Sequence, residues 1–271
     1  MQGKVFHPNS KLKDFVKRYW TLDFPNENTP ELNTIIPDGT MKLIFHYGDL
    51  YWHHPQKGEK YLQPRCFLIG QLTQPYVVEP DGDTGTFVVQ FHPNGFLPFS
   101  TIPMKEMENK PVPISDLFGE KGSKLESSIL SASTTKQRIT IIEKFLTQNL
   151  TTSASIDRIV KSIVDTILNE NGQISVSQIS ERNNMTRRQL SRKFTATIGL
   201  SPKQLSKTIR LQAALKTLLS SPKSKLTDIA YENEYFDQSH FIKDFKEFTG
   251  LSPKEFYGEN LKMSLLFEKD N

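Results

Sequence analysis

Apolar positions change their period part-way along the 271-residue chain. Ahead of Ile114 they come in short β-prone runs separated by turn residues. Lys17–Phe24 (KRYWTLDF) alternates loosely and stops at Pro25. Ile35-Ile36-Pro37-Asp38-Gly39 is a turn signal, Met41–Tyr47 (MKLIFHY) follows as a strand, and Gly48-Asp49 turns the chain before Leu50-Tyr51-Trp52. Cys66–Gly70 and Tyr76–Glu79 are further short runs. Pro80-Asp81-Gly82-Asp83 is a strong turn, and Thr86–Phe91 (TFVVQF) is the clearest strand. Short strands this close together predict a barrel or sandwich rather than a parallel α/β sheet, and a small barrel can enclose a ligand. Trp20, Tyr47, Trp52 and Phe91 are expected in its core.

From Ile114 the apolar period becomes helical. Ser115–Phe118 and Lys124–Leu130 are short helical stretches. Lys136–Leu150 carries Ile139, Ile142, Phe145, Leu146 and Leu150 at amphipathic spacing. Thr151–Ser155 is polar and uncharged, a linker or the cap of the next helix. Beyond it every segment predicts helix. Ile156–Leu168 places Ile156, Ile159, Val160, Ile163, Val164 and Ile167 on one face, and Asn171-Gly172 closes it. Val176–Arg182 is short, and Asn183-Asn184 is a turn suited to left-handed backbone. Thr186 caps a helix to about Thr195, Gly199 ends it, and Ser201-Pro202 starts a long helix to about Leu219. Ser221-Pro222 breaks the chain again. Thr227–Glu232 is a short helix, Asp237 caps another through Phe248, and Gly250–Pro253 opens a terminal one.

This helical half contains a repeat. Gly-Leu-Ser-Pro-Lys occupies Gly199–Lys203 and again Gly250–Lys254, 51 residues on (250 − 199). Leu190-Ser191-Arg192-Lys193-Phe194 precedes the first copy, and Phe241-Ile242-Lys243-Asp244-Phe245 the second at the same offset. A short helix, a turn and a capped helix, used twice and joined by a long helix, make a doubled helix-turn-helix. Leu190 and Phe194 are four apart and form a greasy back, with Arg187, Arg188, Ser191 and Arg192 in front; Phe241 and Phe245 form the second back, with Gln238, Ser239 and Lys243 in front. Arg forks onto guanine and Ser bonds several base edges, so such fronts suit the DNA major groove. Two reading helices on one connector are expected to enter successive grooves about 34 Å apart. Arg187, Lys203, Lys207, His240, Lys246 and Lys254 are expected on phosphates, which fix register without reading sequence.

Charge strengthens this picture. From Arg182 to Leu226 there is no Asp or Glu, against eleven Lys and Arg, whereas Met1–Thr152 balances 16 basic with 16 acidic residues. The net charge of +4 therefore sits in the repeated half and points to a polyanion partner.

Ile229-Ala230, Tyr235, Asp237-Gln238-Ser239-His240-Phe241, Lys243, Phe245-Lys246 and Gly250-Leu251-Ser252-Pro253 closely resemble the signature of AraC/XylS-type transcription regulators. The resemblance covers about Ser155 to Tyr257. It implies a seven-helix domain of two helix-turn-helix units on a linker helix, with base-facing positions at Arg188, Ser191, Arg192, Gln238, Ser239 and Lys243. The chain departs where the family commonly has Gly-Phe, here Glu234-Tyr235, and where an Arg is frequent, here Lys243. A left-handed backbone at Glu234 would be strained. In the N-terminal half, Ile36-Pro37-Asp38-Gly39-Thr40-Met41, Gly70-Gln71 and Gln90-Phe91-His92-Pro93-Asn94-Gly95 resemble an uncharacterised sensor-type domain often placed before such modules. That resemblance suggests a cupin-like, β-rich effector or dimerisation domain.

The expected class is therefore α+β: a β-rich barrel or cupin-like domain with flanking helices over residues 1–150, an all-α DNA-binding domain over 151–260, and a tail over 261–271. Double-stranded DNA is the expected partner, with a small-molecule effector, RNA polymerase and a second copy of the chain beside it. No cofactor or metal is expected. His46, His53, His54 and His92 lack ligand-set spacing, and Asp38, Asp81 and Asp83 fall in turns that favour Asp anyway. The single cysteine, Cys66, cannot make an internal disulfide, and no apolar run is long enough to span a membrane, which points to the cytoplasm. A cupin-type enzyme and a non-specific nucleic-acid binder are the alternatives. A regulator rather than an enzyme is the reading the motifs favour.

Overall fold

A computed structural model describes residues 2–25, 32–150, 157–220 and 225–259. Strands, labelled in chain order, form two antiparallel sheets. The larger runs β1 (Gln2–Phe6), β2 (Val16–Phe24), β9 (Thr84–Phe91), β4 (Lys42–His46), β7 (Cys66–Ile69) and β10 (Pro111–Pro113). The smaller runs β3 (Asn33–Ile35), β8 (Tyr76–Pro80), β5 (Tyr51–His54) and β6 (Tyr61–Leu62). All six runs expected from the sequence are strands. The four unexpected ones, β1, β3, β6 and β10, are the four sheet edges. An edge strand is short and packs few apolar side chains, so it leaves little pattern to read.

Strict alternation places the larger sheet between two apolar layers. Leu43, Phe45, Cys66, Leu68, Phe87, Val89 and Phe91 point one way, onto helices α1 (Ile114–Phe118), α2 (Glu120–Ser131) and α3 (Thr135–Asn149), which answer with Leu117, Leu125, Ile129, Ile142 and Leu146. Ile44, Phe67 and Ile69 point the other way, onto Tyr51, Tyr76 and Val78 of the smaller sheet. The polar parity of β9 also faces inward. There Thr84 meets the Tyr51 hydroxyl at 2.6 Å and Thr86 meets His46 at 3.1 Å. Rings and a hydrogen-bonded polar layer thus line the space between the sheets. Of the four expected core aromatics only Phe91 is fully buried. Trp20, Tyr47 and Trp52 are half-buried at the margins, where the Trp52 indole donates to Asp81 (2.8 Å) and the Tyr47 hydroxyl donates to Asp23.

The remaining helices are α4 (Arg158–Asn169), α5 (Val176–Arg182), α6 (Arg187–Ile198), α7 (Pro202–Ser220), α8 (Leu226–Glu232), α9 (Gln238–Thr249) and α10 (Pro253–Glu259). α4 starts later than its apolar pattern suggested because the Asp157 side chain caps it, accepting from the Ile159 and Val160 N–H groups. Its buried stripe is Val160, Ile163, Val164 and Ile167, and Ile159 is exposed instead. The expected linker at 151–155, the Ser221-Pro222 break and the 261–271 tail lie outside the described residues. Two separate cores follow. One joins α4, α5 and α6 to Leu205 of α7; the other joins Leu211, Leu215 and Leu218 of α7 to α8, α9 and α10. At 19 residues, α7 is about 28 Å long.

The β-rich part docks directly on α7 through the Ile36–Gly39 turn. Gly39 has φ +73, and a Cβ there would lie 2.7 Å from the Leu205 Cδ1. The Gln212 amide donates to the Pro37 carbonyl at 2.7 Å, Ile36 packs against the second helical core, and buried Gln71 donates to the Gly39 carbonyl at 3.1 Å. A 3₁₀ turn at Met104–Met107 meets α6 beside Gly199.

We expect Gly39→Ala to lower stability by roughly 1–3 kcal/mol, because it adds both left-handed strain and a clash with Leu205; urea unfolding of the full chain measures it. His46 supplies a pH-dependent term. Burial pushes its pKa from 6.5 down to about 4, so the fold keeps the ring neutral. The unfolded chain binds a proton below pH 6.5, hence stability is complete above that value and falls as pH drops towards 4. The loss from this residue is roughly 3 kcal/mol. Burial lowers His53 and His92 in the same direction. We expect unfolding free energy measured from pH 7 to 4.5 to fall steeply, and less steeply in His46→Gln.

Candidate nucleic-acid interface

Each reading helix is fixed at both ends by local chemistry. At α6, the Thr186 hydroxyl accepts from the Gln189 N–H (3.2 Å), and the Gln189 side chain accepts from the Thr186 N–H (3.0 Å). At α9, Asp237 accepts from the His240 N–H at 2.7 Å. Gly199 (φ +86) and Gly250 (φ +79) close the two helices in the left-handed region, donating to the Thr195 and Lys246 carbonyls. Ser201 and Ser252 then cap α7 and α10, paired reciprocally with Gln204 and Glu255. The repeated Gly-Leu-Ser-Pro-Lys string is thus the corner after each reading helix.

Leu190, Phe194 and Ile198 bury the back of α6, and Phe241, Phe245 and Phe248 the back of α9. In front, Arg188, Arg192, Ser239 and Lys243 are exposed and Ser191 is half-buried. Among the described residues none of Arg188, Arg192 and Lys243 has an ion-pair partner, so these charges are available to a ligand. Gln238 is more constrained: its side-chain oxygen accepts from Thr227 of α8 at 3.0 Å. Arg187 donates to Ser177 of α5 at 2.6 Å and remains exposed.

The expected phosphate positions divide. Lys203, Lys246 and Lys254 are exposed. Lys207 is half-buried and ion-paired with Asp244 (3.1 Å) and Glu247 (2.8 Å). The His240 ring meets Tyr235 edge-on and lies 3.8 Å from Asp244. Asp244 is buried on the inner side of α9 and also lies 3.8 Å from Arg210. It therefore ties α9 to α7. The helical position of Asp244, next to Phe245 and three after Phe241, was the signal for an inward-facing acid that reading the front faces alone passes over. Asp157 plays a similar part in the first unit, where it caps α4 and pairs with Lys193 at 2.8 Å. Burial opposes its ionisation, but the Lys193 ammonium and two backbone N–H groups hold its carboxyl below the usual range. The acid-free stretch is thus partly neutralised from outside itself.

The two turns differ by one residue. Met185 and Tyr235 donate to the Ser180 and Ala230 carbonyls, an offset of 50, while the caps Thr186 and Asp237 are 51 apart. The extra residue is Phe236. Left-handed backbone falls on Asn184 (φ 50) in the first turn and on Glu234 (φ 52) in the second. Asn tolerates that conformation, and Glu is strained by about 1 kcal/mol relative to Gly.

A cleft of about 450 Å³ lies between the larger sheet and α7, lined by Arg18, Asp38 and Gln90 on one side and Ile209, Gln212 and Phe256 on the other. Its sheet side is pre-organised: Arg18 donates to Gln90 (2.7 Å), Gln90 donates to Asp38 (3.0 Å), and Lys42 donates to Asp38 (2.8 Å). Burial opposes ionisation of Asp38, but Lys42 and Thr40 hold its carboxyl below the usual range. The histidines do not converge. His46 bonds Thr86 and Gln63, His53 the Val77 carbonyl, His54 Glu79, and His92 the Lys13 carbonyl. Buried Cys66 has its thiol pKa pushed up by burial. Among the described residues no helix is long and apolar enough to cross a membrane.

Comparison with known proteins finds matches in both parts of the chain. Residues 4–113 match the family described as a domain of unknown function (DUF6597), and residues 179–258 match a helix-turn-helix domain. An uncharacterized HTH-type transcriptional regulator of Staphylococcus aureus N315 is 33% identical over 86 residues, covering 32% of this chain and 11% of that protein. One of Haemophilus influenzae is 28% identical over 152 residues, covering 53% and 51%. The chain thus spans about a tenth of the length of the staphylococcal relatives it matches. Among solved structures, ToxT of Vibrio cholerae aligns over 95% of this chain and 97% of its own, with TM-score 0.47 and 13% identity. The C-terminal domain of AraT from Geobacillus stearothermophilus aligns over 39% and 88%, with TM-score 0.36 and 25% identity. Residues 179–258 thus match a helix-turn-helix domain and are built as two such units on one connecting helix, the arrangement that the resemblance to AraC/XylS-type regulators implied, while residues 4–113 match a family of unknown function.

Proposed function

We propose that this chain is a sequence-specific, DNA-binding transcription regulator in which α6 and α9 read two successive major grooves. The observation that carries the reading is the repeated setting of those helices: each is capped, closed by a left-handed glycine, backed by buried aromatic or aliphatic side chains, and fronted by exposed cations. Because α7 is packed into both cores, the two fronts are held by one rigid connector rather than by a flexible tether. Arg188, Ser191 and Arg192 read one half-site; Gln238, Ser239 and Lys243 read a different one, so a single chain reads an asymmetric site. Arg187, Lys203, Lys246 and Lys254 hold phosphates, and Lys207 and His240 set α9 through Asp244 before they meet any phosphate.

Residues 1–150 act in this proposal as the effector or dimerisation domain, 151–260 as the DNA-binding domain, and 261–271 as a tail. The protein works in the cytoplasm, with RNA polymerase and a second copy of the chain as its protein partners. A small effector is received in the cleft beside α7, where it touches the connector that sets both reading helices. A regulatory rather than enzymatic role is supported by the engagement of His46, His53, His54 and His92 in separate structural hydrogen bonds.

Selection of DNA from a random pool tests the reading: one enriched site of two unlike half-sites about one helical turn apart supports it, and no enriched motif overturns it. On the selected site, Arg192→Ala and Lys243→Ala should each cost roughly 1–3 kcal/mol and relax preference within a different half-site. Lys203→Ala should weaken all sequences alike and reduce the slope of log affinity against log salt by about 1.

A further inference from the structure

The helical part joins its two units through one element. α4, α5 and α6 pack on α7 and on one another, and so do α8, α9 and α10, so inside this part α7 is the tie between the reading helices. A single helix resists stretching, but it bends along its length. A second tie in parallel removes that freedom, and the β-rich part supplies one.

This second tie is built from two segments that leave a strand pair. β7 and β10 pair antiparallel, Phe67 with Pro113 and Ile69 with Pro111. At the Ile69 end the chain continues as residues 70–75 on one side and 104–110 on the other, and these stay joined. The Asn109 N–H donates to the Gln71 carbonyl at 3.0 Å. The Asn109 side chain accepts from the Thr73 N–H (2.9 Å) and donates to the Thr73 hydroxyl (2.8 Å), and that hydroxyl donates to Glu108 (3.3 Å). Asn109 has φ 56, a conformation that Asn tolerates. Gly70 lets the two backbones touch, since a Cβ there would lie 1.9 Å from the Met107 carbonyl oxygen. The two segments therefore form one brace. Gln71 also fastens it to the turn that docks on α7, through the Gly39 carbonyl at 3.1 Å.

The brace meets both corners of the repeat. A Cβ on Gly199 would lie 3.0 Å from the Met104 carbonyl oxygen, and one on Gly250 would lie 3.7 Å from the Pro75 Cγ. These glycines are equivalent positions, each closing a reading helix. One part of the brace thus seats on the corner after α6 and another on the corner after α9. The fronts stay clear of it: Arg188, Arg192, Ser239 and Lys243 lie in the first halves of their helices and are exposed. Contact at equivalent points of both units, with the fronts uncovered, fixes the placement of one reading helix relative to the other.

We propose that this brace, with Thr73, Pro75, Met104 and Asn109 as its positioning residues, sets the half-site spacing that the chain reads. Moving one half-site by a base pair shifts it about 3.4 Å along and roughly 34° around the duplex. Bending of α7 alone absorbs part of such a shift. A closed loop of α7, the two corners and the brace does not, because close-packed contacts must break first. This inference rests on the DNA-reading function proposed above.

The test measures binding of the full chain to three kinds of DNA: its selected site, that site with one base pair inserted or removed between the half-sites, and that site with one half-site scrambled. The one-base-pair shift should cost the parent about tenfold in affinity. Asn109→Gly cuts the brace without backbone strain, because glycine accepts the positive φ, and Pro75→Ala removes the contact with the second corner. In each variant the cost of the shift should drop to about threefold or less, while affinity for the scrambled site stays that of the parent. Thr73→Ser keeps the hydroxyl and should discriminate as the parent does. A merely structural brace would lower the melting temperature of Asn109→Gly and leave the cost of the shift intact, which overturns the proposal. If Asn109→Gly does not fold, Pro75→Ala decides by itself. A parent or a Thr73→Ser chain that tolerates the shifted sites also overturns it, as does a Pro75→Ala chain that discriminates like the parent. Tighter binding of the selected site by the variants makes the brace an inhibitory contact and overturns it too. Failure of the parent to select any DNA site removes the proposed function itself and is distinguishable from all of these.

Discussion

Everything in the C-terminal part depends on the burial of one helix on several sides. α7 gives Leu205 to the first core and Leu211, Leu215 and Leu218 to the second. It also receives the Ile36–Gly39 turn of the β-rich part. Interiors are close-packed, so a helix held on several sides cannot rotate to suit one neighbour without disturbing the others. The spacing and tilt of the two reading helices follow from that constraint. The same constraint makes α7 the element through which the β-rich part bears on both helix-turn-helix units.

Electrostatics refine this frame rather than build it. The basic run from Arg182 onward looks like a uniform polycation in sequence, yet Asp157, Glu170, Asp244 and Glu247 pair with Lys193, Arg182 and Lys207. The pairs buried at α7 and α9 are fixed in register by their surroundings. Arg188 and Arg192 on one helix and Lys243 on the other remain outward without an ion-pair partner among the described residues, beside exposed Arg187, Lys203, Lys246 and Lys254. The positive charge is thus sorted into a part that orients helices and a part that faces the solvent.

The β-rich part shows how a strand pattern can be right in kind while its interior remains hidden. Its six inner strands are legible because each packs at least one face against a core and concentrates aliphatic and aromatic residues there. An open volume lies at the junction with α7. There Arg18, Gln90, Asp38 and Lys42 form a hydrogen-bonded polar wall against an apolar helix. Neither wall alone suggests a cavity.

The sequence by itself determined the helices, their caps and corners, the doubled unit and the outward residues of each reading helix. Those features rest on local rules: the 3.6-residue period, side-chain oxygens that cap a nearby N–H, and glycine where φ is positive. The tertiary structure alone decided the four edge strands, the role of Gly39 as a contact, the inward pairing of Asp244, the place of the cleft, and the strain at Glu234. Each depends on groups brought together from distant parts of the chain, or on a backbone angle that neighbouring packing imposes. A residue's own type records what it can do, but which of its faces is covered is fixed only when the other elements close around it.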